Sequence, residues 1–375
     1  MKRNLNFNRI KRVVVKIGTS VLTDLEGNFS LANLKNIAAQ VHALLKSGRE
    51  IVLVSSGAIG CGMKTLGFKK RPKELKTLQA CAAVGQGKLM KAYEDFFSDF
   101  GYHTGQVLLT RNVFQDQARC LNARNTIQEI LHLKTIPIIN ENDTVSTEEI
   151  RFGDNDTLSV CVAELIEADL LILLSDVNGI YIDGKSSEIV SEVDKTEVVD
   201  ELFKHVFSHE KKVVTAGGMQ TKLEVSKRAM RNGISTVVMN GKERDGILKL
   251  LAGEAIGTLF AATTKTRQGF KKNWLTGLTQ AHGNIQVDEG AYRALSDGGK
   301  SLLPSGVRCV EGNFKAGDSV RISTEAGKTF ARGIVNYSKE ELSKIQGKKS
   351  SEIATVLGYK HQDEVIHRDN LVILE

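Results

Sequence analysis

A chain of 375 residues, 41% hydrophobic and 25% charged, has ordinary globular composition and room for about two domains. No apolar run approaches the roughly 20 residues of a membrane span, and the basic start, residues 1–12, has neither an apolar h-region nor a small-residue cleavage site. The net charge of +7 lies wholly before Leu275, because Leu275–Glu375 carries 13 Lys+Arg against 13 Asp+Glu. Cys61, Cys81, Cys120, Cys161 and Cys309 form no CxxC pair, which suits reduced thiols in a cytoplasmic protein.

In chain order, Arg12–Ile17 (RVVVKI) reads as a buried strand ending in Lys16-Ile17-Gly18. Ser30–Lys46 has the apolar spacing of an amphipathic helix, with Ser30 as N-cap and Gly48 as its stop. Ile51–Val54 is a second strand. It runs into Ser55-Ser56-Gly57-Ala58, a small-residue turn before a helix, where backbone N–H groups suit an anion. No GxxxxGK[ST] pattern is present, so this is not a P-loop. Glu74–Phe97 reads as one or two helices, Gln106–Leu109 as a short strand and Thr110–Leu133 as largely helical.

Ile136–Ile139 and Leu170–Leu174 are continuous apolar runs, as buried parallel strands require. Between them lie Asn140-Glu141-Asn142-Asp143 and Gly153-Asp154-Asn155-Asp156, the second opening a helical pattern. Open α/β sheets bind ligands beyond the carboxyl ends of their strands, which places the active site here. Taken alone, Asp154 and Asp156 at a helix start are more simply read as caps, favoured there by capping and the helix dipole. Thr144–Phe152 is expected to be a protruding hairpin or lid. Val177–Tyr181 reads as a turn then a strand, and Glu188–Val193 as a further strand. Thr215–Lys222 (TAGGMQTK) opens a helix, and Thr236–Met239 is a strand.

This alternation implies a parallel sheet with helices on both faces over residues 1–260. Residues 261–273 are polar, basic and aperiodic, as in a linker. Residues 274–375 carry short β-like runs separated by glycine turns, with helices over Ser338–Ile345 and Ser350–Leu357. That texture predicts a small, mainly β barrel.

Taken together, VVVKIGTSVLT, VSSGAIGCG, INENDTV, GDNDTLS, LLSDVNGIY and AGGMQTKLEVSKRA, in this order, resemble the glutamate 5-kinases of the amino acid kinase family. VDEGAYRAL, SLLPSGV, GNFKAGDSVRI and ARGIVNYS resemble that family's PUA domain. The resemblance implies an αβα sandwich plus a PUA-like barrel. It also implies ATP-dependent phosphorylation of the γ-carboxylate of L-glutamate, with Mg²⁺ carried by the nucleotide. By the same resemblance Lys16 and Lys222 are the catalytic lysines and Asp156 their organising acid. Ser56, Asp143 and Asn155 contact glutamate. Lys16, Ser175, Asp176, Ala216, Gly217, Gly218, Met219, Gln220, Thr221 and Lys222 contact the nucleotide. Feedback inhibition by proline, a homo-oligomer (dimer or tetramer) and transient contact with a glutamyl phosphate reductase are implied too. One departure stands out: the family pattern Gly-Thr-Gly-Gly-Met is here Thr215-Ala216-Gly217-Gly218-Met219, so a hydroxyl is missing and altered nucleotide affinity is expected.

The residue types suit the chemistry. A carboxylate acceptor of pKa about 4.3 is already ionised at neutral pH, so no general base is needed, and two lysines offset the repulsion between acceptor and phosphates. Two other readings compete. One is a different acceptor, such as aspartate, N-acetylglutamate or uridylate, on the same sandwich. The other is RNA binding through the PUA-like segment, which its balanced charge disfavours.

Overall fold

The computed structural model describes residues 3, 5–24, 29–146, 155–181, 188–209, 218–262 and 281–374. The chain divides into two compact units. The first comprises Met1–Gln115 and Ala123–Arg267, the second Asp116–Asn122 and Gln268–Glu375.

Strands β1 (Arg12–Ile17), β2 (Glu50–Ser55), β3 (Thr104–Leu109), β4 (Ile136–Glu141), β5 (Leu170–Ser175), β6 (Glu192–Val193), β7 (Ser235–Asn240) and β8 (Thr258–Phe260) form one sheet. Their order is β3-β4-β2-β1-β5-β7-β8-β6. The first six in that order run parallel, whereas β8 is antiparallel to β7. Val13, Val14 and Val15 are fully buried, as are Leu170–Leu173, because helices cover both faces. The chain steps from β1 outward through β2, then returns to the other side of β1 at β5. That reversal makes a topological switch point at the carboxyl ends of β1 and β5, the place where open α/β sheets bind ligands.

Helix α1 (Leu31–Lys46) buries Leu34, Ile37, Ala38, Val41 and Leu44 along one stripe. The Ser30 side chain caps it by accepting from the Asn33 N–H, and Gly48 adopts the left-handed backbone just beyond its end. Helix α2 (Ala58–Thr65) and the long α3 (Leu75–Ser98) touch backbone to backbone. A Cβ on Gly62 would lie 1.8 Å from the Cys81 carbonyl oxygen, and one on Gly85 would lie 1.8 Å from that of Ala58. Only glycine permits this approach. Helices α5 (Asn155–Leu165), α6 (Thr196–His209), α7 (Met219–Arg231) and α8 (Gly246–Leu251) complete the first unit, and α4 (Gln117–His132) starts in the Asp116–Asn122 segment of the second unit and continues into the first.

The second unit holds β9 (Gly283–Val287), β10 (Val307–Gly312), β11 (Ser319–Thr324), β12 (Thr329–Ile334) and β13 (Leu371–Ile373), in the order β10-β9-β11-β12-β13. It also holds helices α9 (Glu289–Ser296), α10 (Lys339–Ile345) and α11 (Ile353–Leu357). Ile285, Phe314, Ile322 and Tyr337 lie at the centre of its core. Ser338 and Glu341 form a capping box at the start of α10.

Several expectations change. The strand expected at Ile180–Tyr181 is a single bridge from Tyr181 to Ile189. The strand expected over Glu188–Val193 keeps only Glu192–Val193. Thr110–Leu133 begins with a 3-10 turn, Arg111–Phe114, before α4. Glu74–Phe97 is one helix. The linker beyond residue 262, and residues 147–152 of the expected lid, lie outside the described residues.

Candidate active site

Lys16 is the fifth residue of β1, paired across the sheet with Val54 and Leu173. A strand buried on both sides delivers its side chain into the interior, and Lys16 is only 5% exposed. Gly18 follows Ile17, its N–H donating to the Leu174 carbonyl at 3.2 Å, and a Cβ on it would lie 3.1 Å from that same oxygen. Asp156, fully buried, sits in the first turn of α5. Lys222, 4% exposed, sits one turn into α7. The three meet: Lys16 Nζ lies 2.5 Å from Asp156 Oδ1, and Lys222 Nζ lies 3.2 Å from Asp156 Oδ2. Burial opposes ionisation of Asp156, but the two ammonium groups outweigh it and hold the carboxyl below the usual carboxylate range.

One carboxylate shared by two cations leaves the trio with a net positive charge in a desolvated place. Such a trio suits an anion whose charge grows during reaction. The same donor set does not suit a dedicated divalent-cation cage, because the only acid is already engaged by both lysines. Among the described residues no three His, Cys, Asp or Glu side chains converge as metal ligands. A divalent cation at this site would have to be held by oxygens of a bound ligand, not by these three side chains.

Beside the trio, Asn155 opens α5. Its Nδ2 donates to Ser56 Oγ at 2.9 Å, to the Ser55 carbonyl at 3.3 Å and to Asn140 Oδ1 at 3.1 Å. Ser56 follows β2, and its N–H donates to the Ile17 carbonyl at 3.1 Å. Gly57 then takes a left-handed backbone, φ +102°, to start α2. Asp143 stands on the turn after β4, half-buried, and makes no hydrogen bond to Ser56 or Asn155. Burial pushes its carboxyl up to about 6; nearby Glu141 adds to this and Arg71 opposes it. Of the residues expected at the nucleotide, Ser175 is buried at the end of β5, its Oγ donating to Asp176 Oδ1 at 3.1 Å. Gly218 precedes α7, and Met219, Gln220 and Thr221 form its first turn with Lys222. Ala216 and Gly217 lie outside the described residues.

Sequence reasoning missed Gln86 of α3, whose Oε1 accepts from Asn140 Nδ2 at 2.9 Å, and Tyr93, whose hydroxyl lies 2.8 Å from Ser55 Oγ. It also missed Glu164 of α5. That carboxylate, 1% exposed, accepts from Arg228 Nε at 2.7 Å and Asn232 Nδ2 at 2.6 Å, tying the far ends of α5 and α7.

Comparison with known proteins identifies the family. Residues 11–240 match the amino acid kinase family, and residues 283–357 match the PUA domain. The chain belongs to the amino acid kinase family. Within the family, it is 44% identical to a glutamate 5-kinase of Syntrophotalea carbinolica, over 100% of both chains. It is 48% identical to the glutamate 5-kinase of Gloeobacter violaceus, over 96% of this kinase and 99% of that one. Among solved structures, carbamate kinase from Giardia lamblia bound to AMP-PNP is 15% identical, covering 68% of this kinase and 99% of that chain, with a TM-score of 0.48. That last likeness is too slight to bear on activity.

Proposed function

We propose that this kinase transfers the γ-phosphoryl group of ATP to the γ-carboxylate of L-glutamate, giving L-glutamyl 5-phosphate and ADP, the first step of proline biosynthesis. The observation that carries this reading is the buried Lys16–Asp156–Lys222 trio at the switch point, with the Ser56–Asn155 pair beside it. Full-length likeness to glutamate 5-kinases supports the choice of acceptor.

Lys16 and Lys222 flank the transfer point. As the bond from the γ-phosphorus to the β,γ-bridging oxygen breaks and a bond to the carboxylate oxygen forms, their ammonium groups stabilise charge on the transferring and leaving oxygens. Asp156 holds both lysines in place and stays ionised because they surround it. No proton leaves the acceptor, so no base is assigned. Ser56 and Asn155 hold the amino acid by hydrogen bonds, and Asp143 pairs with its α-ammonium. Ser175, Asp176 and residues 216–222 hold the nucleotide. Magnesium bound to the nucleotide supplies further neutralisation of phosphate charge. The acyl phosphate hydrolyses readily, so exclusion of water from the site would protect it.

We assign residues 1–260 to the kinase domain, 261–273 to a linker and 274–375 to the PUA-like domain. Proline acting at the glutamate site, assembly into dimers or tetramers, and handover of product to a reductase belong to the same reading. The acceptor is tested by measuring ADP release with glutamate, aspartate, N-acetylglutamate and uridine monophosphate in parallel. Glutamate is expected to give a kcat/KM at least a hundredfold above the others. Comparable turnover of any other acceptor contradicts the assignment.

A further inference from the structure

Gln86 lies mid-way along α3 and ends a continuous run of side-chain amides that starts at Ser56. Asn155 Nδ2 donates to Ser56 Oγ and to Asn140 Oδ1, and Asn140 Nδ2 donates to Gln86 Oε1. Backbone groups fix the sense of this run. The Glu141 N–H, which can only donate, bonds to Asn140 Oδ1 at 2.9 Å, so the Asn140 nitrogen must face Gln86. Gln86 therefore turns its oxygen to Asn140 and its Nε2 away. At the other end the Ser55 carbonyl, which can only accept, holds Asn155 by its nitrogen and turns Asn155 Oδ1 away.

The run thus terminates in two buried atoms with no hydrogen-bond partner among the described residues: Gln86 Nε2, a donor, and Asn155 Oδ1, an acceptor. Leaving both unmet is costly, and a ligand offering one acceptor and one donor satisfies both. An α-amino acid, with its carboxylate and ammonium on one carbon, is such a ligand. Asn155 adjoins Asp156 in sequence, while Gln86 stands two amides farther along, so Gln86 belongs at the end away from phosphoryl transfer. Its position is rigidly set. Gly85 packs against the Ala58 carbonyl with no room for a Cβ, and Tyr93, two turns on, meets Ser55 Oγ.

We propose that Gln86 determines specificity for the free α-carboxylate of the acceptor, its Nε2 donating to that carboxylate while Asn155 Oδ1 accepts from the α-ammonium. This rests on the glutamate-kinase reading and deepens it. Gln86→Glu keeps the acceptor that Asn140 needs but replaces the donor with a negative oxygen. Gln86→Leu removes both.

The test uses the full chain, with hydroxamate formation measured for glutamate and for L-isoglutamine, whose α-carboxylate is a carboxamide and whose γ-carboxylate is intact. Gln86→Glu and Gln86→Leu are expected to raise the KM for glutamate at least fivefold, with kcat and the KM for ATP moving less than threefold. In Gln86→Glu the preference for glutamate over isoglutamine, as a ratio of kcat/KM, is expected to shrink at least fivefold, because the new carboxylate accepts from the amide. That ratio is measured within one variant, so it does not depend on how much of the protein is folded. A glutamate KM or a preference ratio that shifts less than fivefold in Gln86→Glu overturns the proposal alone. A wild-type chain that makes no hydroxamate from glutamate removes the underlying reading, and this one with it.

Discussion

Two aspartates of the site sit on opposite sides of the usual carboxylate range. Asp156 is held low by two lysines, whereas Asp143 is pushed up to about 6, chiefly by burial. If Asp143 pairs with the substrate ammonium, only its ionised form binds, and a proton on it competes with substrate. The kcat/KM for glutamate is therefore expected to fall about tenfold per pH unit below about 6, the limb reporting the free enzyme. Measuring kcat/KM from pH 5 to 8 checks this, and Asp143→Asn should lower it at pH 7 and abolish the limb. A wild-type profile that stays flat between pH 5 and 7 contradicts the role. The site residues differ in how far sequence exposes them. Lys16 and Lys222 stand out because each adjoins a glycine-marked strand end or helix start. Gln86 does not, because its meaning comes from Asn140, which lies 54 residues farther along the chain and is delivered by another strand.

Helices α5 and α7 are joined side by side by two ionic rungs. Asp156–Lys222 closes the site end, and Glu164–Arg228 closes the far end. Glu164 is 1% exposed, so removing Arg228 leaves a buried carboxylate held by the Asn232 amide alone among the described residues. Arg228→Ala is expected to cost about 3 kcal/mol, the lower end for a broken buried pair, since the arginine itself is part-exposed. Urea unfolding followed by fluorescence or circular dichroism measures it, and a change under about 1 kcal/mol would show the rung to be dispensable. At this scale the legible elements were those with one dominant pattern. The buried strands β1, β2, β4 and β5 are unbroken apolar runs, and α1 has a full stripe with a cap. Helix α6 escaped because its first turn, Thr196–Val199, sets one acid among three β-branched residues. Strand β8 escaped because three residues carry no period, and its antiparallel direction follows from tertiary pairing alone. Helix α9 was overlooked between short β runs, although Asp288 caps it by accepting from the Ala291 N–H at 2.8 Å.

Across the whole molecule, each unit buries its own core, one around β1, α1 and α3, the other around Ile322 and Phe314. Every proposed site residue lies in the first unit. A chain ended after residue 262 is accordingly expected to keep hydroxamate formation within about threefold of the full chain. It should also melt at a lower temperature, because Leu121 loses the small cluster it makes with Ile334 and Val372. Loss of activity in a truncated chain that still melts cooperatively would assign part of the site to residues 263–375. The change of texture near residue 262 was visible in composition, since charge balance and run length shift there. The inclusion of Asp116–Asn122 in the second unit was not, because nothing local in that segment marks which core it joins. The account as a whole depends on two distant lysines sharing one buried acid at the point of phosphoryl transfer. Its most direct test is hydroxylamine trapping of γ-glutamyl phosphate from ATP and glutamate by wild type and Lys222→Ala. The account predicts that the variant melts within a few degrees of wild type while its kcat falls on the order of a hundredfold or more, as for loss of a charge-stabilising donor. A folded Lys222→Ala that turns over within threefold of wild type would contradict it.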